Sequence, residues 1–382
     1  MIEFSRKIFS VPEQYQASGF EYPGVKALFY EGMPYNGRRT RIFAWYGVPD
    51  NVKGKVPAMM LVHGGGGTAF PDWVRLWNSR GYAALAMDTC GGVPAWFNSV
   101  YCRNPWPRHD HSGPLGWGFD KSSFSPELPP EEQWPYHAVS SVVLGHSLLR
   151  SFPEVDPARI GITGISWGGY LTCMAAGVDK RFAFAAPVYG CGFLGGASVG
   201  LANEYRTVKD NKRFERWLSM WDPSHYLPNA KMPVLWVNGT NDFAFPMDSM
   251  QDSYRLTKKR FLAVRVRMPH AHGGAGENPE EILLMADHVC KGGESPSSFK
   301  SQGMKQGAAW AKYKSPRPVK NAELNFTRAL GHWTDRTWNT VPAVMNDGLV
   351  SATLPKGTTV YYFNIFDECG RVASSEHVCL GG

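Results

Sequence analysis

Three short segments carry the residue types that nucleophilic hydrolysis needs. Gly164-Ile165-Ser166-Trp167-Gly168 sets a serine between glycines, after an apolar run with Ile160 and Ile162 on one face and before Gly169-Tyr170-Leu171, which opens a helix. Asp242 follows the run PVLWVNG and begins the loop NDFAFP. His270 and His272 stand together in MPHAHGG. A serine hydroxyl is a poor nucleophile at neutral pH and needs an adjacent imidazole, itself oriented by a carboxylate. Ser166 is the expected nucleophile and Asp242 the expected acid; Asp248 and Asp252 fall inside the next predicted helix. His272 is the expected base, because Gly273-Gly274 lets its loop bend toward the serine; His270 is the alternative base, or else a pocket residue. Charge developing on a carbonyl oxygen needs backbone N–H donors. The Trp167 amide and that of Gly65 or Gly66, in His63-Gly64-Gly65-Gly66-Gly67, are the expected pair. A second match to the serine pentapeptide, Gly196 to Gly200 around Ser198, follows GCGFLG and reads as a small-residue loop.

Other chemistries lack their residues. His109-Asp110-His111 has two imidazoles at a metal-compatible spacing but no further ligand cluster, so no metal is expected. The glycine run lacks both a phosphate-loop Lys-Ser/Thr and a dinucleotide spacing, so no cofactor is expected. Seven cysteines, an odd number without a CxxC pair, read as free thiols. The net charge of +7 comes from scattered Lys and Arg, which excludes a nucleic-acid arm. No run of about 18 apolar residues suggests a membrane span, and the N-terminus has no apolar leader, so a cytoplasmic protein is expected. Aromatics make up 13% of the chain, including 14 Trp. That excess suggests a binding surface, with Trp96, Trp106, Trp117 and Trp217 as candidate pocket residues.

These segments need strand ends to hold them. Apolar runs at 57–62, 82–87, 182–189, 233–238 and 262–268 read as buried strands. Helical patterns at 70–80, 131–152, 247–259 and 279–290 alternate with them. That rhythm means an α/β fold, a mostly parallel sheet with helices on both faces. Residues 26–30 and 40–47 read as a hairpin, and 1–25 as irregular. Two stretches interrupt the rhythm, 89–135 and 190–229, the second with a helix near 203–220; they read as pocket wall, lid or cap. Residues 1–292 would form the catalytic domain and 293–307 a linker. Residues 308–382, with short alternating stretches between Pro, Gly and Asn-Asp-Gly turns, would form a small β-sandwich.

GISWGGYLT, PVLWVNGTNDFAFP and MPHAHGG together resemble the α/β-hydrolase superfamily over about residues 25–292, in particular its dienelactone-hydrolase, prolyl-oligopeptidase and acetylxylan-esterase branch. The resemblance implies roles for Ser166, Asp242 and His272 as nucleophile, acid and base. Two departures narrow it. Dienelactone hydrolases use a cysteine nucleophile, and residues 1–50 leave no room for the propeller of prolyl oligopeptidases. The C-terminal part is similar to the appended β domains of cocaine-esterase-like hydrolases and some carbohydrate esterases. The expected function is a serine esterase working through an acyl-enzyme, acting on a small-molecule or oligosaccharide ester, with acetylxylan-type deacetylation the leading substrate class. A peptidase or amidase is the alternative, and a non-catalytic carbohydrate-binding protein the remote one.

Overall fold

A computed structural model describes residues 2–65, 67–97, 100–102, 107–116, 123–196 and 211–380, the side chains of 95–97, 100–102 and 211 aside. The polar, alternating N-terminal segments become one side of a nine-stranded sheet, and the continuous apolar runs become its centre. After a 3-10 turn at Arg6–Phe9, β1 (Gln14–Tyr22), β2 (Val25–Glu31) and β3 (Arg41–Gly47) form an antiparallel meander. The first of these was not legible. QYQASGFEY is an edge strand with only Ala17 buried, so it lacks the apolar face that announces a strand.

β4 (Val56–Val62) follows, then α1 (Pro71–Ser79) and β5 (Ala83–Met87). A short hairpin, β6 (Ala95–Phe97) with β7 (Val100–Cys102), lies in the first insertion. Then come α2 (Trp134–Leu149), β8 (Val155–Ile165), α3 (Trp167–Val178) and β9 (Phe184–Val188). After α4 (Asn211–Trp221) the pattern resumes with β10 (Val234–Gly239), α5 (Met247–Arg255), β11 (Arg260–Arg265), a single turn α6 (Gly274–Glu277) and α7 (Glu280–Lys291). The sheet order is β1-β2-β3-β5-β4-β8-β9-β10-β11, and every pairing from β5 onward is parallel. A parallel sheet must be covered on both faces. Met59, Met60, Leu61 and Val62 of β4 accordingly lose all exposure, each worth about 1.5–3 kcal/mol when fully buried.

The long helix α2 is buried along its whole length, as expected of a helix apolar all round. Its fully buried histidine meets a carboxylate. His146 Nδ1 is 2.8 Å from Asp179 Oδ2, and Arg181 Nη2 is also 2.8 Å from that oxygen. Burial pulls the Asp179 carboxyl upward, but the Arg181 and His146 hydrogen bonds outweigh it and hold the group ionised.

The C-terminal unit begins earlier than its composition suggests. Residues 293–307, expected as a linker, contain β12 (Ser298–Lys305), which pairs antiparallel with β13 (Ala308–Lys314). A polar edge strand inside a Ser/Pro/Gly-rich stretch has no apolar period to reveal it. β14 (Val319–Thr327), β15 (Trp338–Pro342), β16 (Val344–Asn346), β17 (Leu349–Thr353), β18 (Val360–Asp367), β19 (Val372–Ser374) and β20 (Val378–Cys379) complete two sheets. One has the order β12-β13-β17-β16, the other β15-β14-β18-β19 with β20 also on β18. Alternation along β18 splits its duties. Tyr361, Phe363 and Ile365 fill the sandwich core, while Val360 and Tyr362 join the core of the catalytic domain. Asn364 Nδ2 donates to the Val264 carbonyl of edge strand β11, and the Val264 amide donates to Ser374 Oγ. The sandwich is therefore docked on the catalytic sheet by side chains that cover its exposed edge. No helix among the described residues is long and apolar enough to cross a membrane.

Candidate active site

The turn between β8 and α3 is strained at one residue. Ser166 has φ 58° and ψ −118°, a conformation costly for a side chain with a Cβ. Its amide is tied to the Val188 carbonyl at 2.9 Å, which fixes the turn to β9. The flanking glycines are required by close approach. A Cβ on Gly168 would run into the carbonyl oxygens of Val62 and His63, and one on Gly164 into the Gly168 carbonyl. None of these backbone atoms can yield. We expect Gly168→Ala to lose about 3 kcal/mol or more of stability, measured by urea unfolding; a variant within about 0.5 kcal/mol of wild type would contradict this packing.

The expected acid, Asp242, lies just past the end of β10. Asp242 is 3% exposed. Its Oδ1 accepts from the amides of Ala244 at 3.0 Å and Phe245 at 2.7 Å, and Asn238 Nδ2 closes the base of the loop on the Phe245 carbonyl at 2.8 Å. Its Oδ2 is 2.6 Å from Nδ1 of His270. The imidazole beside the acid is thus His270, where His272 was expected. His270 is sandwiched between the ring of Tyr189, stacked at 4.5 Å, and that of Phe243 at 4.6 Å. His272 is engaged elsewhere. Its Nδ1 is 3.1 Å from Glu277 Oε1, and its Nε2 accepts from the Gly64 amide at 3.1 Å. It packs against Phe70 and Trp73. His272 still borders the serine: a methyl on Gly64 would stand 3.0 Å from Ser166 Cβ and 3.4 Å from His272 Nε2. Among the described residues Ser166 Oγ has no hydrogen-bond partner, and resting-state catalytic hydrogen bonds are often long.

The glycine run is aimed by a buried histidine. His63 Nδ1 is 2.8 Å from the Gly64 carbonyl, so it carries the proton, and Nε2 accepts from the Thr89 amide at 2.9 Å. Asp88 accepts from the amides of Cys90 and Gly92. His63, Asp88 and Cys90 lie close enough to suggest a metal site. With both His63 nitrogens taken by backbone, the cluster instead shapes the β4 and β5 loops. Gly67 N closes on the Gly64 carbonyl at 2.9 Å, leaving Gly65 at the tip of the turn. Trp167 heads α3, where amides have no intrahelical acceptor. Gly66, Trp106, Trp117 and Ser198 lie outside the described residues, as does the Trp96 side chain.

Of the aromatics expected to line a pocket, Trp217 is the one whose side chain is described, and it is packed in the core. Trp217 is fully buried. It packs on Phe124 at 4.5 Å and on Tyr170 at 6.2 Å, and donates Nε1–H to the Ser123 carbonyl. Trp134 and Trp221 are buried likewise, donating to the Thr89 carbonyl and to Gln133 Oε1. These buried rings tie described parts of the two insertions to α3 and to the start of α2. His109, from the metal-spaced pair, packs at a tilt against Phe29 at 4.9 Å, and the His111 carbonyl accepts from the Arg41 amide. A cavity of about 980 Å³ between β11 and β12 is lined by none of Ser166, Asp242, His270 or His272, so size alone does not locate the chemistry.

The sheet order and the strained serine between a parallel strand and a helix define an α/β-hydrolase. The chain belongs to the acetyl xylan esterase (AXE1) family, whose profile matches residues 7–226; a profile for the PhoPQ-activated pathogenicity-related protein matches residues 200–322. It is a serine hydrolase of the carboxylic-ester class. Solved structures share the fold. An acetyl xylan esterase from Paenibacillus sp. R4 aligns at 22% identity over 72% of this chain and 88% of its own, with a TM-score of 0.56. Acetyl xylan esterase 1 from Thermoanaerobacterium sp. JW/SL YS485 aligns at 17% identity with the same coverage and a TM-score of 0.55. The acylaminoacyl peptidase of Pyrococcus horikoshii aligns at 19% identity over 72% of this chain and 43% of its own, with a TM-score of 0.51. Among curated proteins, the uncharacterized peptidase YuxL of Bacillus subtilis (strain 168) is 29% identical over 131 residues. That match covers 32% of this chain and only 20% of YuxL.

Proposed function

We propose that the protein removes acyl groups, acetyl above all, from carbohydrate esters of the acetylxylan type. Ser166 acts as nucleophile, His270 as general base and Asp242 as the carboxylate that orients it. The observation that carries this reading is the 2.6 Å contact between Asp242 and His270, in a fold whose strained turn presents Ser166. With Nδ1–H given to the carboxylate, His270 keeps Nε2 as a proton acceptor. It takes the Ser166 proton as Oγ attacks the ester carbonyl. The carbonyl oxygen becomes an oxyanion held by the amides of Trp167 and Gly65. His270 returns the proton to the departing sugar hydroxyl, leaving an acyl-serine. Water, deprotonated by His270, then releases the acid and restores Ser166.

Membership of the acetyl xylan esterase family supports the acetyl-sugar substrate class. The test compares p-nitrophenyl acetate and acetylated xylo-oligosaccharides with peptide anilides. Both esters are expected to be cleaved with kcat/KM at least about 10²-fold above that of the anilides, because an amine is a poorer leaving group than an alcohol. Preferential cleavage of the anilides would replace this reading with a peptidase.

A further inference from the structure

We propose that the C-terminal β-sandwich is a working part of the catalytic site, because it sets the position of the acid through Asn241. The inference rests on Asp242 being the catalytic acid. Asn241 is the residue immediately before Asp242, at the outer end of the loop. Its Nδ2 faces three backbone carbonyls of the sandwich: Trp333 at 3.1 Å, Thr334 at 3.0 Å and Arg336 at 2.8 Å. An amide nitrogen carries two hydrogens, so two carbonyls are bonded outright and the third shares. The amide cannot be turned the other way. Thr240 Oγ1 accepts from the Arg267 amide at 3.0 Å and gives its own hydrogen to Asn241 Oδ1 at 2.7 Å.

The carbonyls themselves stand on a stiff turn. Trp333 is 3% exposed, stacked with Trp338 and edge-on to His377. The Arg336 guanidinium lies 3.7 Å over the Trp333 ring and donates Nη2–H to the Gly331 carbonyl at 2.9 Å. A continuous chain of short contacts therefore runs from the sandwich turn to Asn241, then to Asp242, then to His270. On its inner side the acid loop is pinned by Asn238. Its outer side has the sandwich. A catalytic group displaced by about 1 Å can cost about 10²-fold in rate. Asn241 is thus a positioning residue, acting on the reaction only through its neighbour.

The test uses the full chain. Asn241→Ala is expected to lower kcat on p-nitrophenyl acetate about 10- to 50-fold while KM stays within about twofold. Asn241→Asp is expected to be worse than alanine, since a carboxylate only accepts and would confront three carbonyl oxygens. Asn241→Gln keeps the donor but adds a methylene, so it should retain the thermal midpoint and still lose kcat. Gln251→Ala is the control. It removes another direct bond to the sandwich, Gln251 Nε2 to the His377 carbonyl at 2.9 Å, and should leave kcat within about twofold. Wild-type kcat in Asn241→Ala or Asn241→Gln overturns the inference. So does an equal loss in Gln251→Ala, which would mean that docking in general matters and not the acid loop. Asp242→Asn is measured alongside: if it keeps full activity, the reading of the acid fails, whereas an inactive Asp242→Asn beside a fully active Asn241→Ala sinks only the present inference.

Discussion

Ser166→Ala is expected to remove hydrolysis of p-nitrophenyl acetate by about 10³- to 10⁶-fold and to abolish labelling by a fluorophosphonate probe. Loss of a serine nucleophile has effects of that size because the residual rate comes only from binding and the oxyanion donors. The same position gives a second readout. Ser166 is held at φ 58°, a cost that alanine inherits and glycine escapes. Ser166→Gly should therefore be as inactive as Ser166→Ala yet about 1 kcal/mol more stable in urea unfolding. Opposite signs for activity and stability at one residue are what a turn strained for function requires. An active Ser166→Ala protein would end the serine mechanism.

His270→Ala is expected to lower kcat/KM about 10²- to 10⁴-fold, the usual worth of a general base, with Asp242→Asn falling in the same range or below it. His272→Ala should cost only about tenfold. The difference follows from what each ring nitrogen does. His270 gives Nδ1–H to a buried carboxylate that also accepts from two backbone amides, so its other nitrogen is left with the tautomer a base needs. His272 has Glu277 at Nδ1 and the Gly64 amide at Nε2, and its accepting lone pair is spent on the backbone of the glycine turn. Its removal should loosen that turn, raising KM more than it lowers kcat. The comparison is decisive on p-nitrophenyl acetate: a His272→Ala protein with the larger defect in kcat would reverse the assignment.

The two histidines also mark where the sequence stops being informative. The strands 57–62, 82–87, 182–189 and 233–238 were legible because continuous apolar runs between turn residues have few other uses. The positions of Ser166 and Asp242 were legible because each follows such a run, at the end of the sheet where loops gather. His270 and His272 are two residues apart in a segment without regular structure. Their spacing leaves both within reach, and only the path of residues 266–273 decides which ring meets Asp242. The placement of Trp217 in the core was not legible for a related reason. Trp217 and its neighbours are compatible with a sugar-binding wall or with a core, and burial depends on where the insertions fold.

The sequence by itself determined the α/β sheet, the strained serine turn, the place of Asp242 after a strand and the all-β character of the C-terminal part, since each is written in local periodicity and in glycine sterics. Only the tertiary structure decided that His270 pairs with Asp242 and that Trp217 is core. It also decided that the sandwich turn at 333–336 grips Asn241, a contact between residues more than ninety positions apart. Those outcomes depend on long-range packing of loops, and a short window of sequence carries no term for it.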